Sequence, residues 1–183
     1  AFSTGFFSTR NSTVLIPDKL GNLKLILIKP SKKRRFLTGD LIARLPGGKY
    51  YIKNDLADDF AFEVALGFSL SSYKFRQVQK KTDEIKPLLC IPENVSKKKL
   101  EIFSRAEFFV RNLVNTPASQ LGPNNFEKVI QSFAKKKGAT FKTVVGDDLV
   151  DKNFPLIHTV GKAGAENPRF VELSWGNSNN YKI

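Results

Sequence analysis

Two stretches, RNLVNTPASQLGP at residues 111–123 and VGDDLVDKNFPLIHTVGKAGAENPRFVELSWG at residues 145–176, decide the fold. The first marks the end of one helix and the start of another. Pro117 disfavours helical geometry at Thr116, so a helix reaching Asn115 must stop and turn there. Pro123 suits a first helical position, and Phe126, Val129, Ile130, Phe133 and Ala134 follow at i, i+3, i+4, i+7 and i+8 before Lys135 to Lys137 and Gly138, which marks both ends of the second helix. Beyond it, Phe141, Thr143 and Val145 alternate with Thr140, Lys142 and Val144 as a strand, and Gly146-Asp147-Asp148 opens another helical turn. Phe170 to Trp175 gives a further strand, residues 176–180 a polar turn, and Tyr181 to Ile183 the first residues of one more strand. A strand that follows a helix in this way predicts an α/β layer.

Working back from Asn115, Leu100, Phe103, Ala106, Val110 and Leu113 recur at three- and four-residue steps over about four turns, predicting a long amphipathic helix. Ser96 is placed to cap it, with Val95 and Leu100 positioned to meet as a hydrophobic staple. Further upstream, Leu88 to Ile91 reads as an apolar strand, and Ser69 to Lys81 passes from a helix into a polar turn. Asp55, Asp58 and Asp59 precede Phe60, Val64 and Phe68, a four-residue spacing that keeps the apolar groups on one helical face while the acids favour the helix amino terminus. They read as helix-start residues rather than metal ligands. Tyr50 to Ile52 is expected as a strand, Phe36 to Leu45 as a short helix ended by Pro46-Gly47-Gly48, and Lys29 to Arg35 as a surface loop. Val14 to Ile16 and Leu23 to Ile28, joined through Gly21 and Asn22, form a β-hairpin. The resulting fold class is α/β: a small mixed-sheet amino-terminal domain over residues 1–93, a linker helix over 94–117, and the opening helix-strand elements of a second α/β domain over 118–183.

Composition places limits on function. The 183 residues are 41% hydrophobic and 26% charged, the balance of a packed globular chain. The longest apolar run, Leu25 to Ile28, is flanked by Lys24 and Lys29 and is far short of a membrane span of roughly 18 residues. The start, AFSTGFFSTR, lacks the basic and apolar regions of a secretory signal, and the single Cys90 has no partner for an internal disulfide, so a cytoplasmic location is expected. Methionine is absent even at position 1, which suits a trimmed chain or fragment. The net charge of +13 raises nucleic acid as a partner, yet residues 1–93 carry 16 Lys+Arg against 9 Asp+Glu and residues 94–183 carry 14 against 8. The excess is spread evenly. Lys32-Lys33-Arg34-Arg35, Lys97-Lys98-Lys99 and Lys135-Lys136-Lys137 read as solvated surface.

The chain carries few reactive groups. His158 is its only histidine, so neither a histidine triad nor a histidine-rich metal site can be assembled from it, and it is expected to be packed or hydrogen-bonded. No GxSxG, HExxH or GxxxxGK[ST] motif is present. Asp147 and Asp148, following a strand and a glycine, are expected to cap a helix rather than hold a metal. Asn94-Val95-Ser96 is a chance match to the glycosylation triplet. Gly161-Lys162-Ala163-Gly164 matches the GxxG loop with which KH modules clamp a nucleic-acid backbone, although Pro168 argues against the helix that should follow. A basic nucleic-acid-binding module therefore stands as the alternative function.

The segments NTPASQLGP, VGDDL and PRFVELSWG, in this order, together with Glu63-Val64-Ala65-Leu66-Gly67 and Tyr73-Lys74-Phe75, resemble the leucyl (cytosol) aminopeptidases. The likeness is strongest over residues 111–176. It implies a parent enzyme that removes amino-terminal residues, typically leucine-like, from peptides, uses two divalent ions, zinc or manganese, and assembles as a hexamer without membrane contact. In that family the ligands belong to a Gly-Lys-Gly segment leading into Phe-Asp-x-Gly-Gly and to a later Asn-Thr-Asp-Ala-Glu-Gly-Arg motif. Neither occurs here, and Val160-Gly161-Lys162-Ala163 is not followed by the required run, so Lys162 is not named as a ligand. The resemblance thus implies a segment for packing, oligomerisation and substrate access, with no catalytic, cofactor-binding or metal residue of its own.

Overall fold

The hairpin is set by its turn. Asp18 accepts hydrogen bonds at Oδ1 from the backbone N–H groups of Leu20 (2.8 Å) and Asn22 (2.9 Å), and Gly21 takes φ +86°, open to glycine and costly for other residues. This joins β1 (Thr13–Pro17) to β2 (Leu23–Ile28) as an antiparallel pair running from Thr13 opposite Ile28 to Pro17 opposite Leu23. A computed structural model describes residues 13–29, 38–39, 43, 45–75 and 86–176. Most of the expected Lys29–Arg35 loop and Phe36–Leu45 helix, the polar turn after Phe75, and the strand at Tyr181 to Ile183 lie outside the described residues. The chain divides into two compact units, Ala1–Asn112 and Leu113–Ile183.

In the first unit, β3 (Gly48–Tyr50) pairs in parallel with β4 (Pro87–Leu89). Both strands begin earlier than the apolar runs suggest: β3 starts two residues before the expected Tyr50–Ile52, and β4 one before the expected Leu88–Ile91. Pairing decides the position. Tyr50 turns inward and donates its hydroxyl to the Pro46 carbonyl (2.7 Å), whereas Tyr51 is left 73% exposed. α1 (Asp58–Ser71) carries Asp58 and Asp59 in its first turn, where carboxylates favour the helix dipole. Asn94 ties that end down by donating to Asp58 Oδ1 (3.0 Å) and to the Leu56 carbonyl (2.9 Å). The inward face is Ala61, Val64, Ala65 and Phe68, at i, i+3, i+4 and i+7. Ala61 and Ala65 meet Val95 and Leu100, while Phe68 meets Leu45 and the β2 residues Leu23, Ile26 and Ile28; Leu89 touches both clusters.

α2 (Lys97–Asn115) starts at the expected cap, with the Lys99 N–H donating to Ser96 Oγ (3.3 Å), and Val95 and Leu100 are buried in one cluster as a staple would place them. Its apolar stripe is only partly packed: Leu100 is buried and Phe103 meets Phe62 of α1 edge to face, with ring centres 5.6 Å apart. Phe103 and Val110 are 50% and 53% exposed and Ala106 is exposed, while Ser104 is buried. Ser104 hydrogen-bonds Ser69 on α1 (2.8 Å), and Arg111 donates to the Leu70 carbonyl (3.2 Å) and to Glu107 (3.1 Å). The end of α1 is closed locally by the Ser72 and Tyr73 N–H groups, which donate to the Ser69 (3.1 Å) and Leu70 (3.2 Å) carbonyls, and Arg111 adds a second donor to the Leu70 carbonyl.

The second unit builds on α3 (Pro123–Lys137), with Pro123 at its start and Gly138 in the left-handed region at its end, as expected. β5 (Thr140–Val145) and β6 (Arg169–Ser174) form an antiparallel pair, from Thr140 opposite Ser174 to Val145 opposite Arg169. Between them lie α4 (Asp148–Asp151), which sinks Leu149 to 0% exposure, and α5 (Pro155–Gly161). Phe154 stacks on Phe170 with ring centres 4.6 Å apart, holding the α4–α5 corner against β6.

Candidate functional site

Within the second unit, the amino end of α3, the carboxyl end of α5 and the start of β6 surround an open groove of about 810 Å³ with mainly apolar walls, including Phe126, Ile157, Val160, Pro168 and Val171. Its floor depends on glycine. A Cβ at Gly161 would lie 2.3 Å from the Pro168 Cβ, so this helix end closes on the chain before β6 only without a side chain. Glu166 reaches the first turn of α3, where its carboxylate accepts from the Asn124 N–H (2.7 Å) and fills the space a Cβ on Gly122 would need. It supplies the cap that Gly122, having no side chain, cannot. Beside it, the Arg169 guanidinium bonds the Glu127 carboxylate and the Asn124 side-chain oxygen; the side chains of Arg169 and Glu127 are 10% and 18% exposed. A half-buried arginine with both partners in place is a fixed structural tie rather than a group free to bind substrate.

His158 is packed and hydrogen-bonded, as the sequence predicts, and its partner is Asp147, with Nε2 3.0 Å from Oδ1. That contact corrects the capping role expected of Asp147. Asp147 occupies the position before α4, but its backbone is helical, at φ −66° and ψ −27°, and its carboxylate makes no cap bond. An oxygen cap requires an extended backbone to reach the following N–H groups, so the side chain is free to meet α5 instead. Asp148 lies inside the first turn of α4. The pair offers two donors, whereas a catalytic zinc site takes three protein ligands, and among the described residues no group of three or more His, Cys, Asp or Glu side chains is placed to hold an ion. The described donor set does not fit a divalent metal.

The GxxG segment also resolves differently from a nucleic-acid clamp. Gly161 ends α5, the Gly164 N–H closes a turn on the Gly161 carbonyl (3.0 Å), and the chain proceeds through Pro168 into β6 with no second helix. Cys90 follows β4, half-buried, and its N–H donates to the Tyr50 carbonyl (2.8 Å). A hydrogen bond with this thiol pushes the Tyr51 hydroxyl above the ordinary tyrosine value. A phenol of raised pKa is no base for activating a thiol at neutral pH.

The M17 aminopeptidase amino-terminal domain matches residues 2–92, and the catalytic domain of the cytosol aminopeptidase family matches residues 108–183. The chain belongs to the M17 leucyl (cytosol) aminopeptidase family. A probable cytosol aminopeptidase of Corynebacterium glutamicum is 28% identical over 188 residues, covering 94% of this chain and 37% of that relative. One of Brucella ovis is 30% identical over 132 residues, covering 66% and 26%. Among solved structures, the cytosol aminopeptidase of Coxiella burnetii superposes with a TM-score of 0.79 at 27% identity, covering 97% of this chain and 39% of that one. The bottromycin maturation enzyme BotP, at 22% identity and a TM-score of 0.73, shares the fold. Against the first of these relatives and the Coxiella structure, this M17 chain spans 37% and 39% of the length. The cytosol aminopeptidase assignment agrees with the cytoplasmic placement expected from sequence. No helix among the described residues is long and apolar enough to cross a membrane.

Proposed function

We propose that this chain is the non-catalytic amino-terminal portion of a two-metal leucyl aminopeptidase that removes amino-terminal residues from peptides in the cytoplasm. Residues 1–93 form its amino-terminal domain, 94–117 its linker helix, and 118–183 the start of its catalytic domain. The segment serves packing, assembly of the parent as a hexamer, and substrate access; none of its residues acts as catalyst or metal ligand. The observation that carries this reading is the order and extent of the family matches: the amino-terminal domain over residues 2–92, then the catalytic domain over residues 108–183, within a chain that spans 37% of a relative's length. The manganese or zinc pair belongs to the longer parent, since the motifs that would hold it are not in this sequence.

The test compares the 183-residue chain with a form extended to the full length of its relatives, using leucine p-nitroanilide with added manganese or zinc. The reading predicts hydrolysis by the extended form alone. Comparable kcat/KM in the 183-residue chain would place the chemistry within it and overturn the reading.

A further inference from the structure

The exposed aromatic at the end of β6 stands beside the most basic turn of the second unit. The β5–β6 register sets Thr140 opposite Ser174, so Trp175 arrives next to the point where α3 ends at Lys137 and Gly138. Its indole Nε1 donates to the Lys137 carbonyl (3.2 Å), and Phe133 meets it edge to face with ring centres 6.4 Å apart and planes at 81°. The ring is therefore held in one orientation, yet it remains 54% exposed. A buried tryptophan would be explained by packing alone; a fixed, half-exposed one presents a rigid π-face to solvent.

Lys135, Lys136 and Lys137 make up the last turn of α3 and are all exposed. Among the described residues, no carboxylate forms an ion pair with any of the three. The next lysine on this side, Lys142, faces Glu172 across the strands, so it adds no net charge. The triplet is a local excess of positive charge around the tryptophan.

We propose that Trp175 and Lys135 to Lys137 form a platform for a single-stranded polynucleotide, with a base stacked on the indole and backbone phosphates on the ammonium groups. This combination recognises unpaired strands because every base has a stacking face, and only an unpaired base can reach the indole. A duplex keeps its bases stacked internally and would meet the lysines alone. The platform uses neither the GxxG turn nor the apolar groove, and it is independent of the peptidase reading.

Trp175 is the only tryptophan in the chain, so its fluorescence reports the contact directly. Oligothymidylate and oligoribouridylate of about ten nucleotides, titrated into the 183-residue chain, are expected to quench it. Three phosphate contacts predict an affinity falling roughly twentyfold between 50 and 200 mM salt. With a labelled oligonucleotide, Trp175→Ala is expected to weaken binding about tenfold, and Trp175→Phe, which keeps a ring against Phe133, to weaken it less. Joint replacement of Lys135, Lys136 and Lys137 by Gln leaves the reporter in place and should abolish the quenching. Quenching by either oligonucleotide supports the platform, and a preference for one identifies the source. Absence of quenching at low salt, equal binding of duplex or polyglutamate, or retained affinity in the lysine variant would overturn it.

Discussion

α2 and α3 are both amphipathic helices with regular apolar stripes, and they bury them to different extents. In α3 the stripe turns inward: Ala134 is 1% exposed, and Val129, Ile130 and Phe133 are half-buried. In α2 the stripe is divided: Leu100 is buried, Phe103 is half exposed yet meets Phe62 of α1 edge to face, and Val110 is 53% exposed, while Ser104 and Arg111 add polar contacts to α1. Periodicity therefore identifies a helix without identifying its inner face. Polar contacts also hold that face, at the Ser69 hydroxyl through Ser104 and at the Leu70 carbonyl through Arg111.

The largest effect expected on this contrast comes from α2 itself. Leu100→Ala removes a side chain that is 6% exposed and joins α2 to the α1 core, and should cost about 2–5 kcal/mol in urea unfolding. Val110→Ser, on the exposed part of the same stripe, should change stability by less than about 0.5 kcal/mol in the same chain. Equal costs at the two positions would make the whole stripe the packed face.

The smallest effect is expected at the hairpin. Backbone hydrogen bonding, chiefly from Asn22, holds the Asp18 carboxyl below the ordinary carboxylate value. A lowered folded value means that the turn's stabilisation is present above the ordinary pKa and is lost as pH falls through the folded one. The Leu20 and Asn22 amide resonances should therefore shift together in that acid range, while those of α2 and α3 do not follow them. Titration of these amides at the ordinary carboxylate value would remove the turn from this account.

Local signals were legible where one residue type has one strong backbone role. Pro117, Pro123 and Gly138 fix helix ends, and Ser96 with Val95 and Leu100 fixes another, each through geometry that its neighbours cannot change. Signals that depend on distant partners were not. The limits of β3 are set by β4 almost forty residues later. Asp147 turns from α4 to His158 because its backbone is helical, and Glu166 caps α3 from 42 residues away. The Arg169 tie to Glu127 and Asn124 was likewise invisible, since neither spacing nor composition marks it. The reactive-group inventory was clearer: a chain with one histidine and one cysteine leaves few ways to build a hydrolytic centre, and among the described residues the carboxylate that bonds His158 is that of Asp147.

The central claim is that the hydrolytic apparatus belongs to the longer parent and that these residues are its scaffold. Titration of the 183-residue chain with manganese and with zinc, followed by calorimetry, addresses it most directly. The account predicts no saturable, stoichiometric heat at micromolar metal, whereas tight binding of a pair of ions per chain would contradict it.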